Sequence, residues 1–178
     1  MRMIPENHKY YRRKQKASIS LAHNLLHRIK TNKPPAFTQA ESRLKTVLLH
    51  RGIRFIDDCG SANVDAAYFT LTRTMRDTVW ILWNDHPEIA LEHFAMDTLP
   101  HLKAVIVAGR ALVKTEVLLG EKTKVLAAKS MRQAVKIALS VLDSEGDVIL
   151  SPATKNIWLY EDQNALSVAF KNMAYRLL

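Results

Sequence analysis

The chain has 178 residues, with 26 Lys+Arg against 17 Asp+Glu and a formal net charge of +9. Its 48% hydrophobic and 24% charged content is ordinary globular usage and excludes global disorder, collagen-like and fibrous classes. No apolar run nears the roughly 18–20 residues of a membrane span, no apolar segment with a cleavage site marks a signal peptide, and the single Cys59 excludes an internal disulfide or a cysteine-based zinc site, so a cytoplasmic protein is expected.

The predicted elements begin with a helix over 8–31, where Ile19, Ala22, Leu26 and Ile29 keep helical spacing and Lys9, Arg12, Arg13, Lys14 and Lys16 enrich the first half in positive charge. Pro34-Pro35 stops it. Residues 1–40 are thus read as a basic helix with a proline-containing linker, and 41–178 as one α/β domain. The charge divides in the same way. Residues 1–54 hold 13 Lys+Arg and two acids, whereas 55–178 hold 13 Lys+Arg and 15 acids. A basic arm on a near-neutral body suits an acidic protein face, nucleic acid or an anionic surface, and a solvated terminal helix accounts for it equally well.

Runs 43–50 and 52–57 read as two strands joined in a hairpin at Arg51-Gly52. A helix is expected over Asn63–Met75, then a strand buried on both faces over Thr78–Trp83 (TVWILW). The pattern continues with a helix over His86–Met96 with Pro87 in its first turn, a strand over Lys103–Ala108 closed by Gly109, and a helix over Arg110–Leu119 with Gly120 as its C-cap. A short strand (Lys124–Ala127), a Ser130-capped helix through Asp143, a strand (Asp147–Leu150) and a closing helix (Asp162–Leu178) complete it. Strands alternating with helices predict a Rossmann-like, mostly parallel sheet covered on both faces and opened by the hairpin. Ligands of such sheets sit beyond the strand C-termini, so the loops after Asp57, Trp83, Ala108 and Leu150 are the informative ones.

Neither a Walker loop nor G-x-G-x-x-G is present among only five glycines, so the chain carries no phosphate cradle of a known pattern. His23 and His27 stand four apart, but without a third ligand they read as surface histidines. His86, Glu92 and His93 have no diagnostic spacing either, and no metal site is assigned. Cys59 follows a strand, at a cleft position, and reads as an inert thiol rather than a nucleophile. Trp80 and Trp83, three apart in one strand, face opposite sides. Trp80 reads as core, while Trp83 either lines a cleft or plugs it, with Trp158 and Tyr160 flanking. Gly109, Ser151 and Asn156 complete the candidate cleft. Asp57-Asp58 either hold a ligand at the sheet edge, or cap the next turn or pair with Arg43 or Arg54; spacing favours the structural role.

Three segments then resemble one family. S-R-L at 42–44 with GIRFIDDCGSANVDA at 52–66, VIVAGR at 105–110 and GDVILSPA at 146–153 are similar, in order and spacing, to the C-terminal domain of Mur ligases, closest to the D-glutamate-adding branch. The resemblance covers about 41–160 and implies a Rossmann-like domain. It places Arg43, Asp58 and Asn63 at positions that in the family contact nucleotide delivered by a central ATPase domain. It also implies losses: the motif's lysine is Gly60, its threonine is Ala62, residues 78–102 hold neither lysine nor glycine, and T-K-N at 154–156 replaces C-A-S. The 178 residues carry no counterpart of the family's ATPase or UDP-sugar domains. The expectation is a non-catalytic Mur-ligase-like module that binds a protein partner or assembly and carries no cofactor of its own. One alternative is a piece of a split amide ligase with Mg-ATP held by a partner's ATPase domain. The other is nucleic-acid association through residues 9–16.

Overall fold

Six strands and five helices form among residues 44–96 and 99–177, the residues described by the computed structural model. The predicted basic helix, the linker and Arg43 lie outside them. Strands β1 (Lys45–His50) and β2 (Ile53–Asp57) pair antiparallel across Arg51 and Gly52. Both turn residues have positive φ, 46° and 84°, the twist that suits a two-residue hairpin.

Helix α1 (Val64–Leu71) starts where the Asn63 side chain accepts the Ala66 N–H. It stops short of the expected Met75, because the Thr72 and Thr74 hydroxyls bond back to the carbonyls of Phe69 and Leu71 as the chain turns into the next strand. Strand β3 (Thr78–Trp83) is buried at every position, as its unbroken apolar run predicts. The expected helix from His86 shrinks to α2 (Glu92–Met96). Here the Asn84 carboxamide oxygen takes the His86 N–H, and Ile89 and Leu91 are drawn into the core, so the first residues wind as a turn.

Strand β4 (Leu102–Ala108) leads into α3 (Leu112–Leu119), two residues later than expected. Gly120 is the C-cap of α3, as expected, with a right-handed φ of −60° and its N–H on the Glu116 carbonyl. After β5 (Lys124–Ala127), helix α4 (Met131–Leu142) is capped by Ser130, which accepts the Gln133 N–H. Strand β6 (Gly146–Leu150) and helix α5 (Gln163–Leu177) follow.

The strand order is β1-β2-β6-β3-β4-β5, with every pairing except β1–β2 parallel. Strand β6 therefore enters between β2 and β3, bringing their C-terminal ends together from distant parts of the sequence. One face carries α4 and α5, packed on Phe55, Ile81, Trp83 and Ile106. The other carries α1, α2 and α3, packed on Trp80, Leu82 and Val107. The two tryptophans of β3 thus serve opposite cores, as period-two alternation demands. Trp80 stacks on Phe94 with ring centroids 5.0 Å apart.

At the N-terminal end of the strands, Arg54 binds the fully buried Asp147 through two bonds of 2.8 and 2.6 Å, and Arg76 adds a third at 3.3 Å. A buried carboxylate needs this much compensation, since an unpaired one costs several kcal/mol or about that order. Bonding to Asp147 raises the Arg54 pKa further. The sequence had offered Arg54 as a partner for Asp57 or Asp58. The strand alternation instead puts it over β6, opposite Asp147.

Candidate functional site

The C-terminal ends of β2, β6, β3 and β4 form the edge where an α/β sheet takes its ligands. Strand β2 ends in two buried carboxylates that face different partners. Asp58 continues the parallel pairing, its N–H on the Leu150 carbonyl at 2.9 Å. Its Oδ2 accepts the Ser151 hydroxyl at 3.0 Å and the Thr70 hydroxyl at 2.9 Å, tying together β2, β6 and α1. Asp57 turns to the α5 side. Its Oδ1 caps the turn by accepting the Cys59 N–H at 3.1 Å. Its Oδ2 takes the Ser167 hydroxyl and lies 3.0 Å from Lys171 Nζ, two side chains one helical turn apart on α5.

Burial raises the Asp57 carboxyl, but the bonds from Ser167, Cys59 and Lys171 together outweigh it and hold its pKa below the ordinary value. Asp57 therefore stabilises the fold fully above its unfolded-chain value of about 4, and this contribution is lost as the pH falls through the lower folded value. Denaturant midpoints measured from pH 7 down to pH 2 are expected to drop over that acid window. Ser167→Ala should reduce the drop while costing about 1 kcal/mol at neutral pH.

Burial first, then the charge of Asp57, pushes the Cys59 thiol far above its usual range. Cys59 sits 1% exposed beneath the turn. A neutral, enclosed thiol has none of the thiolate character a nucleophile needs.

At the end of β3 the edge is filled by aromatic packing. Trp83 is 1% exposed, donates its indole N–H to the Trp158 carbonyl at 2.8 Å, and packs on the Trp158 and Tyr160 rings at 6.2 and 5.4 Å between centroids. The indole is thereby enclosed in the core on the α4–α5 face. Burial raises the Tyr160 hydroxyl pKa. Ser151 is buried and gives its carbonyl to the Trp80 indole. Asn156 is exposed, its N–H on the Thr154 hydroxyl. Asn63 serves as the α1 cap. Gly109 has φ +117°.

Asn84 was missed in the sequence, although it immediately follows the buried run of β3. Fully buried, it donates to the Pro152 carbonyl at 2.9 Å and so straps the β6 loop to β3. Beside it, Asp85 receives the Arg110 side chain at 3.0 Å and the Arg110 N–H at 3.1 Å, and these bonds lower its pKa. His93 rests on Asp65 at 3.5 Å. Among the described residues, no three His, Cys, Asp or Glu side chains converge on a point that would hold a metal ion.

Gly60 and Ala62 offer no side-chain donors, Asp58 is engaged by two hydroxyls, and an indole fills the space at the end of β3.

No helix among the described residues is long and apolar enough to cross a membrane. No family model matches the chain. It is 27% identical over 143 residues to the UDP-N-acetylmuramoylalanine--D-glutamate ligase of Christiangramia forsetii, covering 80% of this chain and 32% of that enzyme. It is 30% identical over 121 residues to the enzyme of the same name from Teredinibacter turnerae, covering 66% of this chain and 26% of that enzyme. The chain thus spans about a third or less of the length of these curated relatives. The sequence shared with two such ligases makes this α/β domain Mur-ligase-like.

Proposed function

We propose that the chain is a cytoplasmic, Mur-ligase-like docking module of peptidoglycan precursor synthesis that binds a protein partner and forms no amide bond itself. The observation that supports this reading is the aromatic packing at the C-terminal end of β3, where Trp83 is enclosed against Trp158 and Tyr160. Amide ligation through an acyl phosphate requires a positioned amine and a charge-stabilising shell around the transferred phosphoryl group. On the family resemblance, Gly60 and Ala62 stand where polar side chains would help hold the incoming amine, while the packed sheet around them is kept. Selection for a binding surface preserves a fold in this way.

The test is a calorimetric titration of the full chain with Mg-ATP and with D-glutamate, alongside gel filtration of the chain mixed with a UDP-N-acetylmuramoylalanine--D-glutamate ligase. The expected result is no heat from either small molecule and co-elution with the ligase at physiological salt. Saturable Mg-ATP binding by the mixture that Asp58→Asn abolishes would overturn the reading in favour of a split ligase. Nuclease-sensitive association would favour nucleic acid through residues 9–16.

A further inference from the structure

At the N-terminal ends of β2 and β6, a cavity of about 470 Å³ opens between the hairpin turn, the end of α4 and the end of α5. Its apolar wall is Ile53, Leu139 and Leu177, the outer edge of the α4–α5 core. Its polar rim is His50 and Arg51 from the hairpin and Asp143 with Ser144 from the loop after α4. Small-molecule sites occupy roughly 300–1,000 Å³. This cavity falls in that range, whereas the one bounded by Phe94, Leu99 and Leu119, at about 250 Å³, does not.

The backbone around the cavity is tightly specified. The parallel register of Ile53 with Gly146 sets the hairpin turn beside the loop between α4 and β6. The Gly146 N–H bonds to the Gly52 carbonyl at 3.3 Å, and a Cβ added to Gly52 would stand 3.1 Å from the Glu145 Cβ. Arg51 and Asp143 both have positive φ, 46° and 57°. With ψ −60°, Asp143 is the centre of a γ-turn closed by the Ser144 N–H on the Leu142 carbonyl. That turn is rare and strained for a residue with a side chain. Strain of this kind persists where the surroundings over-determine it, and it clusters at ligand clamps.

The charges at the rim are unanswered. Arg54, Arg76 and Asp147, at the same end of the sheet, are spent on one another. Arg51 and Asp143 line one cavity with opposite charges, yet neither side chain forms an ion pair or hydrogen bond with the other, or with any other described residue. A ligand that carries both a carboxylate and an ammonium group satisfies the two at once. The guanidinium takes the carboxylate through parallel bonds, the His50 imidazole adds a donor, and the Asp143 carboxylate accepts the ammonium. An aliphatic side chain on the same ligand covers the apolar wall. A ligand of single charge leaves one of the two rim groups without a partner.

We propose that this cavity binds an aliphatic zwitterion, an α-amino acid or short peptide, with its carboxylate on Arg51 and His50, its ammonium on Asp143 and its side chain against Ile53, Leu139 and Leu177. The site lies at the end of the sheet opposite the Trp83 edge, and the proposal stands apart from the docking reading above.

The test is a set of amide proton–nitrogen correlation spectra of the full-length chain, titrated with L-leucine and, separately, with the dipeptide L-leucyl-L-leucine. The expected result is saturable shifts at the amides of His50–Ile53 and Leu139–Ser144. Leucinamide, which lacks the carboxylate, and isocaproate, which lacks the ammonium group, should each bind at least about tenfold more weakly than leucine. Arg51→Asn and Asp143→Asn should each weaken leucine by a similar factor, and Asp143→Asn should not weaken isocaproate. Asparagine tolerates positive φ, so both variants should keep the wild-type melting temperature. Tighter binding of leucine than of the dipeptide identifies a free amino acid as the ligand, and the reverse order a peptide; either supports the site. No saturable shift with either probe, shifts confined to other residues, leucinamide or isocaproate binding as well as leucine, or affinity unchanged in both variants each overturns the proposal.

Discussion

Replacing Trp83 by alanine is expected to lower the unfolding free energy by about 4 kcal/mol, read as a shift of the urea midpoint with an unchanged slope. The indole is fully enclosed at the end of β3, among the side chains of the α4–α5 core and against Trp158 and Tyr160. Its removal deletes the packing and leaves a cavity that the rigid parallel sheet cannot close, and it leaves the Trp158 carbonyl without its donor. Trp158→Ala should cost markedly less, because Trp158 is half-buried and contributes its backbone rather than its ring to the hydrogen bond. The pair of variants also bears on function. On the proposed docking function, Trp83→Ala opens a space at the end of β3 without adding any donor at Gly60 or Ala62, so Mg-ATP and D-glutamate should still give no heat. Binding gained in that variant would mean that the indole alone had been holding a competent site shut.

Gly109→Ala is expected to cost about 3 kcal/mol, measured in the same way. The backbone there has φ +117°, a region L side chains avoid, and an added Cβ would stand 2.2 Å from the Asn84 carbonyl oxygen. The close approach exists because the chain leaving β4 crosses directly over the chain leaving β3. The strain would pass to Asn84, whose carboxamide holds the β6 loop through Pro152, so the variant should also speed amide hydrogen exchange around Ala153 and Thr154. Gly52, with φ +84° and 3.1 Å to the nearest side-chain atom, should tolerate alanine better.

The strands were the most legible part of the chain. TVWILW and KAVIVA are continuous apolar runs, and only a sheet buried on both faces has use for them. The hairpin at Arg51-Gly52 was equally plain. Helices were legible where a capping residue met strong periodicity, as at Ser130. They failed at 86–91, where the side chain of one residue, Asn84, diverts the chain into a turn. Such competition between a local side-chain bond and a helix leaves no periodic signal.

At the site, the turn-capping role of Asp57 followed from its place after a strand. The partners of its second oxygen did not, since Ser167 and Lys171 come from a helix more than a hundred residues away in sequence. Asn84 looked like any polar residue after a strand until Pro152 stood beside it.

By itself the sequence determined the α/β class, the succession of strands along the chain, the burial of the two apolar strands, the opposite-facing tryptophans and the likeness to Mur ligases, because alternation, apolar runs and short motifs are local properties of the chain. The tertiary structure decided the rest. Insertion of β6 between β2 and β3 gave Asp147 its two arginines and Asp58 its serine, and the return of the chain after β6 enclosed Trp83 against Trp158. Those outcomes depend on which strand ends meet, and that is fixed by the pairing of segments far apart in the chain, which no local pattern encodes.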